Sequence, residues 1–175
     1  MLLHDARRDT RTAADGSLIL LPDQDRSRWD HAQIAEGIDA LTRALALGEP
    51  GPYQLQAAIA ALHAEASSPE ATDWRQIWLL YDELHRRQPS PIVALNRAVA
   101  AGLTPAAGPE VGLRLLAELA DPLHEYPAFH LARADMLRRL GDLAGARGCY
   151  QQAAVLADNV QVREVVARQL QALGG

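Results

Sequence analysis

The sequence predicts an all-α protein, a stack of helical hairpins behind an extended N-terminal segment. Three observations predict it. Alanine, the strongest helix former, is abundant, while aromatic residues make up only 5% of the chain. Proline recurs where helices would begin, at Pro52, Pro91, Pro109 and Pro127. At the first turn of a helix its fixed φ is already helical and its missing N–H costs nothing. Apolar residues, finally, recur at helical spacing from residue 31 onward.

Met1, Leu2 and Leu3 read as the last turn of an apolar helix, with His4, Arg7 and Arg8 at its C-terminal end. A helix that begins in mid-pattern is expected of a piece of a longer chain. Residues 9–17 are polar and turn at Asp15-Gly16. Leu18 to Leu21 is the one strand-like run; without a partner strand it reads as an extended segment packed on helices. Ser27, with Asp30 three residues later, predicts a capping box. The linker-proximal segment thus covers residues 1–30 and a first long helix residues 31–50. That helix carries Ile34, Ile38, Leu41 and Leu45 and stops at Gly48. Asp73 caps a helix whose stripe is Trp74, Ile77, Trp78, Tyr81 and Leu84. Further stripes follow at Val111, Leu115, Leu116 and Leu119, at Leu143, Ala146, Tyr150, Ala153 and Ala157, and at Val162, Val165, Val166, Leu170 and Leu173.

Residues 51–175 hold a repeat. Leu95-Asn96-Arg97-Ala98 and Leu131-Ala132-Arg133-Ala134 share Leu-x-Arg-Ala and lie 36 residues apart, as do Pro91 and Pro127. Leu55-Gln56-Ala57-Ala58 is a weaker third copy, and Tyr81, Leu115 and Tyr150 follow at offsets of 34 and 35. A period near 34 built of helix pairs predicts a TPR-like array, a right-handed α-solenoid. Each pair exposes an apolar face that only its neighbour can cover. Gly141 to Ala146, with Tyr150 and Ala153, follow the TPR pattern of a small turn, an Ala, an aromatic and an Ala; Arg97 and Arg133 depart from it.

Composition narrows the function. Net charge is −5, and acids and arginines are interspersed, which argues against a basic stripe for nucleic acid. Cys149 is the only cysteine, so no internal disulfide forms and a reducing, cytoplasmic setting is expected. The opening residues lack the apolar core of a secretory signal. No Gly-rich phosphate loop, nucleophile elbow or helical histidine pair is present, so no catalytic residue, cofactor or metal is assigned. Asp23, Asp25 and Ser27 match positions of a calcium loop, but Arg28 stands where Gly is needed and Ile34 where the bidentate Glu belongs.

Two candidate protein-binding sites remain. Asp23, Gln24, Asp25, Arg26, Arg28 and Trp29 are read either as a capped helix start with exposed charges or as a docking patch anchored by Trp29. The second site is the groove of the array. Aligned with TPR helices, Asn96 takes the place of asparagines that hold a peptide backbone, and Gln56 the same place one copy earlier. Arg97 and Arg133 fit either a clamp on an acidic partner or internal ion pairs.

DQDRSRWD at residues 23–30, GPYQLQAAIA from Gly51 and SPIVALNRA from Ser90 together resemble the C-terminal extension of a group of bacterial extracytoplasmic-function (ECF) RNA polymerase sigma factors with a TPR-like tail. The resemblance implies a regulatory domain acting in transcription initiation, with sigma regions 2 and 4 absent from this chain. Its implied partners are sigma regions 2 and 4 of the same protein, the RNA polymerase core and a DGPF (YCII-related) protein. Direct nucleic-acid or membrane binding is not implied. The alternative is a free-standing TPR-like peptide-binding adaptor unrelated to transcription.

Overall fold

Helix starts fall where proline and capping residues put them. The structure is a computed structural model that describes residues 2–174. Its α-helices are α1 (Leu2–Asp5), α2 (His31–Leu45), α3 (Pro52–Glu65), α4 (Trp74–Arg87), α5 (Pro91–Leu103), α6 (Gly108–Ala117), α7 (Pro127–Arg139), α8 (Leu143–Leu156) and α9 (Val160–Ala172). Pro52, Pro91 and Pro127 each open a helix, and Pro109 sits in the first turn of α6. Met1 and Gly175, at the ends of the predicted segments, lie outside the described residues. Two compact units divide the chain between Gln88 and Pro89.

In the first unit, α1 packs against α2 and α3, and α3 forms a hairpin with α4. Leu3, Ala6, Trp29, Ile34, Ala60 and Ala61 make its core. Gly37 lets α1 lie against α2: a Cβ there would meet the Leu3 side chain at 2.9 Å. Asp73 caps α4 by accepting from the Gln76 N–H at 2.9 Å, and Ile77 and Leu84 fill the hairpin with Ile59 also buried. The strand-like run is extended from Leu18 to Leu20, with an isolated bridge from Leu18 to Thr12 across the turn at Gly16 (φ +84°), but Leu21 departs from the expected extended segment and opens a 3₁₀ turn ahead of Pro22. One stripe residue of α2 corrects the pattern. Leu45 is 40% exposed because the helix ends there, beyond the ground that α1 and α3 cover.

In the second unit, α5 pairs with α6, α7 with α8, and α9 packs on α8. Turns at residues 104–107 and 140–142 are too short for anything but antiparallel neighbours. The repeat is visible in burial: Ala98 and Ala134, equivalent in the two Leu-x-Arg-Ala copies, are both 0% exposed. Ala146, Tyr150 and Ala153 of α8 pack with Ala134 and with Val166 of α9, as the TPR pattern requires. Leu143 opens α8 half exposed, and Leu119 lies in the turn after α6 and not on the helix. Between α5 and α6 the backbones close in at Gly102 and Gly112, with the Met136 side chain of α7 laid over both.

Candidate interaction surface

DQDRSRWD folds as two 3₁₀ turns and a helix cap. Pro22 sets the first turn, Leu21–Asp23. In the second, Arg26–Arg28, the Asp25 carboxylate accepts from the Ser27 N–H at 3.0 Å and from the Ser27 hydroxyl at 2.6 Å. The predicted capping box is corrected: Ser27 serves this turn, and Asp30 caps α2 by accepting from the Gln33 N–H at 2.9 Å. The chain leaves the 3₁₀ turn extended at Trp29, so helix geometry starts only at His31.

Half of the motif turns inward. Trp29 is 4% exposed and donates its indole N–H to the Thr10 hydroxyl at 3.0 Å. Gln24 is buried, with Oε1 3.3 Å from the same hydroxyl and Nε2 donating to the Ile19 carbonyl at 3.1 Å. The Arg26 guanidinium lies 4.8 Å over the Trp29 ring and donates to the carbonyls of His63 at 2.8 Å and Ala66 at 2.7 Å. Those carbonyls are at the C-terminus of α3, where a cation also meets the negative end of the helix dipole. Asp23, Asp25 and Arg28 remain exposed. Arg28 lines a polar hollow with Asp5, Arg8, Asp9, Asp30 and Gln33.

The charges around the motif are unequal. Hydrogen bonds from Ser27 hold the Asp25 carboxyl below its usual range. Burial lowers the Arg26 guanidinium, against the pull of Glu70. His63, edge-on to Trp74 at 5.2 Å, is pushed down to about 4, first by burial and then by Arg7, Arg26 and His4. It is therefore a neutral side chain at neutral pH.

The predicted groove residues divide between the units. Gln56 is exposed on α3 of the first. Asn96, exposed, and Arg97, half-buried, lie on α5 of the second, and Arg133 is exposed on α7, which packs against α5. Arg133 is close enough to Cys149 of α8 to act on its thiol, which burial pushes up.

Sequence reasoning missed Thr10, Arg7 and His63. Thr10 gave no signal because it sits in a polar stretch, and only the fold reveals that it is 2% exposed. His63 was legible only as four residues beyond the buried Ile59 on one helical face.

Fold and surface together define a helical-hairpin domain that presents a pinned, charged N-terminal motif. Residues 1–45, through the last residue of α2, match a family of unknown function (DUF6596). The chain is also similar to an uncharacterized protein of Rhizobium meliloti (strain 1021), 43% identical over 170 residues that cover 97% of this chain and 40% of that protein. The chain thus spans about 40% of the length of the curated relative it matches. No solved structure matches.

Proposed function

We propose that this chain is a protein-interaction and regulatory domain of an ECF sigma factor, acting in transcription initiation through contacts with sigma regions 2 and 4 or with RNA polymerase. It binds and does not catalyse. The observation that carries this reading is the division of DQDRSRWD. Gln24, Arg26 and Trp29 anchor the motif, so the backbone that presents Asp23, Asp25 and Arg28 on the surface is tied to the core. A pre-organised polar surface loses little entropy on docking. Exposed charges add little to folding stability, so their density at this spot is better explained by recognition. The motif resemblance, which runs through three separated segments, supplies the sigma-factor assignment.

The test is binding in trans. The labelled domain is titrated with separately expressed sigma regions 2 and 4 and with core polymerase, beside Asp23→Ala and Arg28→Ala, whose side chains hold no part of the fold together. Micromolar binding weakened more than about ten-fold by either substitution supports the reading. Absence of binding by folded domain to all three partners would sink it. A free-standing adaptor is the second reading, favoured by the exposed amides of Gln56 and Asn96 at the two predicted peptide-binding positions. Loss of binding in Asn96→Ala alone, with Asp23→Ala unaffected, would select it.

A further inference from the structure

Several arginines of this protein pair with a carboxylate three or four residues earlier in the chain. Arg8 pairs with Asp5, Arg86 and Arg87 with Glu83, and Arg138 and Arg139 with Asp135. One corner of the first unit departs from that habit. Arg7, Arg11 and Arg26 are all half-buried there, beside His4 and His63. Among the described residues none of the three makes an ion pair, although Asp5 and Glu70 lie at longer range from Arg11 and Arg26. Their acceptors inside the chain are few and neutral. Arg7 meets His4 Nδ1 at 3.2 Å, Arg11 donates to the His4 carbonyl, and Arg26 holds the end of α3 while its Nε is buried without an acceptor. Arg11 and Arg26 each hold the Arg7 guanidinium down by repulsion, after burial.

Like charges gathered at reduced exposure cost free energy that these neutral acceptors do not return. Beside them opens a recess of about 20 Å³ between Leu3, Trp29, Ala60 and Ala64, with His4, Arg7 and His63 on its wall. A space of that size takes one water-sized group, such as a methyl group or a carboxylate oxygen. We propose that this corner, Arg7 and Arg11 with His4 and the Arg26–Trp29 pair, is a docking site for an acidic segment of a partner protein that presents carboxylates beside a small apolar side chain. Charge complementarity selects the occupant, since each guanidinium retains N–H donors suited to a carboxylate. A nucleic acid fits less well: the corner is short, Asp5 and Glu70 flank it, and the chain as a whole carries −5.

The inference rests on the reading of this domain as a protein-binding module, but its test uses no sigma sequence. A short fluorescein-labelled peptide of repeated Glu-Asp-Ala is titrated against the full chain by anisotropy, next to a Lys-Lys-Ala peptide. Saturable binding of the acidic peptide alone is expected, weakened about ten-fold by Arg7→Gln and by Arg11→Gln and unchanged by Arg43→Gln, an exposed arginine of α2. Amide shifts on the unsubstituted chain should cluster at His4, Arg7, Arg11, Arg26 and His63, and this map decides the question if a variant fails to fold. No saturable binding, equal affinity in folded Arg7→Gln and Arg11→Gln, or shifts centred elsewhere would overturn the proposal. Binding at the corner with no binding to sigma regions or polymerase would keep the site and remove the sigma-factor assignment.

Discussion

The indole of Trp29 and the hydroxyl of Thr10, nineteen residues apart in sequence, meet at 3.0 Å in the core of the first unit. The hydroxyl accepts from the indole and has one proton to give, with the Arg7 carbonyl at 3.0 Å and Gln24 Oε1 at 3.3 Å as acceptors. Through this one oxygen the N-terminal segment, the DQDRSRWD motif and the start of α2 are tied together.

Thr10→Val should therefore destabilise the domain by about 1–3 kcal/mol, the cost of leaving a buried donor unpartnered. Adding Trp29→Phe removes the orphaned N–H, so the double variant should lose clearly less than the sum of the single losses. Urea unfolding of all four proteins checks the coupling.

Arg26 acts by shape as well as by charge. Its Nη1 donates to two carbonyls while the guanidinium plane lies over the Trp29 ring, a stacking that the compact ammonium of lysine does not reproduce. Arg26→Lys should lower the melting temperature nearly as far as Arg26→Met. Full rescue by lysine in a thermal melt would show that charge alone matters there.

Two glycines should respond in opposite senses to alanine. At Gly112 a Cβ would lie 3.0 Å from the Gly102 Cα and 3.2 Å from the Ala98 carbonyl oxygen. Gly112→Ala should cost about 1–3 kcal/mol by forcing α5 and α6 apart. At Gly148, inside α8, nothing lies within 4 Å of the added atom. Gly148→Ala should stabilise by roughly 0.5–1 kcal/mol, because alanine restricts the unfolded chain and favours helix. Denaturant midpoints of both variants decide.

His63 predicts an acid-side loss of stability. Its folded pKa, about 4, lies below the ordinary histidine value of 6.5, so between those values the unfolded chain binds the proton more readily. Stability from this group is whole above pH 6.5 and is lost as pH falls toward 4, with a slope of at most about 1.4 kcal/mol per pH unit. In His63→Gln that component should be missing, leaving a shallower curve over the same window. Unfolding free energies at stepped pH measure the difference.

Much of the architecture was legible because its signals are local. Pro52, Pro91, Pro109 and Pro127 report a backbone angle, Asp73 a cap, and the 36-residue spacing of Ala98 and Ala134 a repeated close approach of helices. The candidate site was legible only in outline. A string of charges does not say which members face inward, and sequence placed Gln24 and Arg26 on the surface with Asp23 and Asp25. The helix cap was misread for a related reason: Ser27 and Asp30 have the right spacing, but the chain between them takes a 3₁₀ turn that Asp25 closes.

By itself, then, the sequence determined the all-α class, the helix starts, the hairpin period and the position of the N-terminal motif. All but the period follow from residues within one or two helical turns of one another, and the period is the recurrence of such local patterns. Tertiary structure alone decided that Thr10 joins Trp29 to Gln24, that Arg26 closes the end of α3, that Gly37, Gly102 and Gly112 are points of helix contact, and that Arg7, Arg11 and Arg26 gather in one corner. These are meetings between separate elements of the chain. They depend on how α1, α2 and α3, or α5, α6 and α7, come to lie against each other, and no local pattern encodes that.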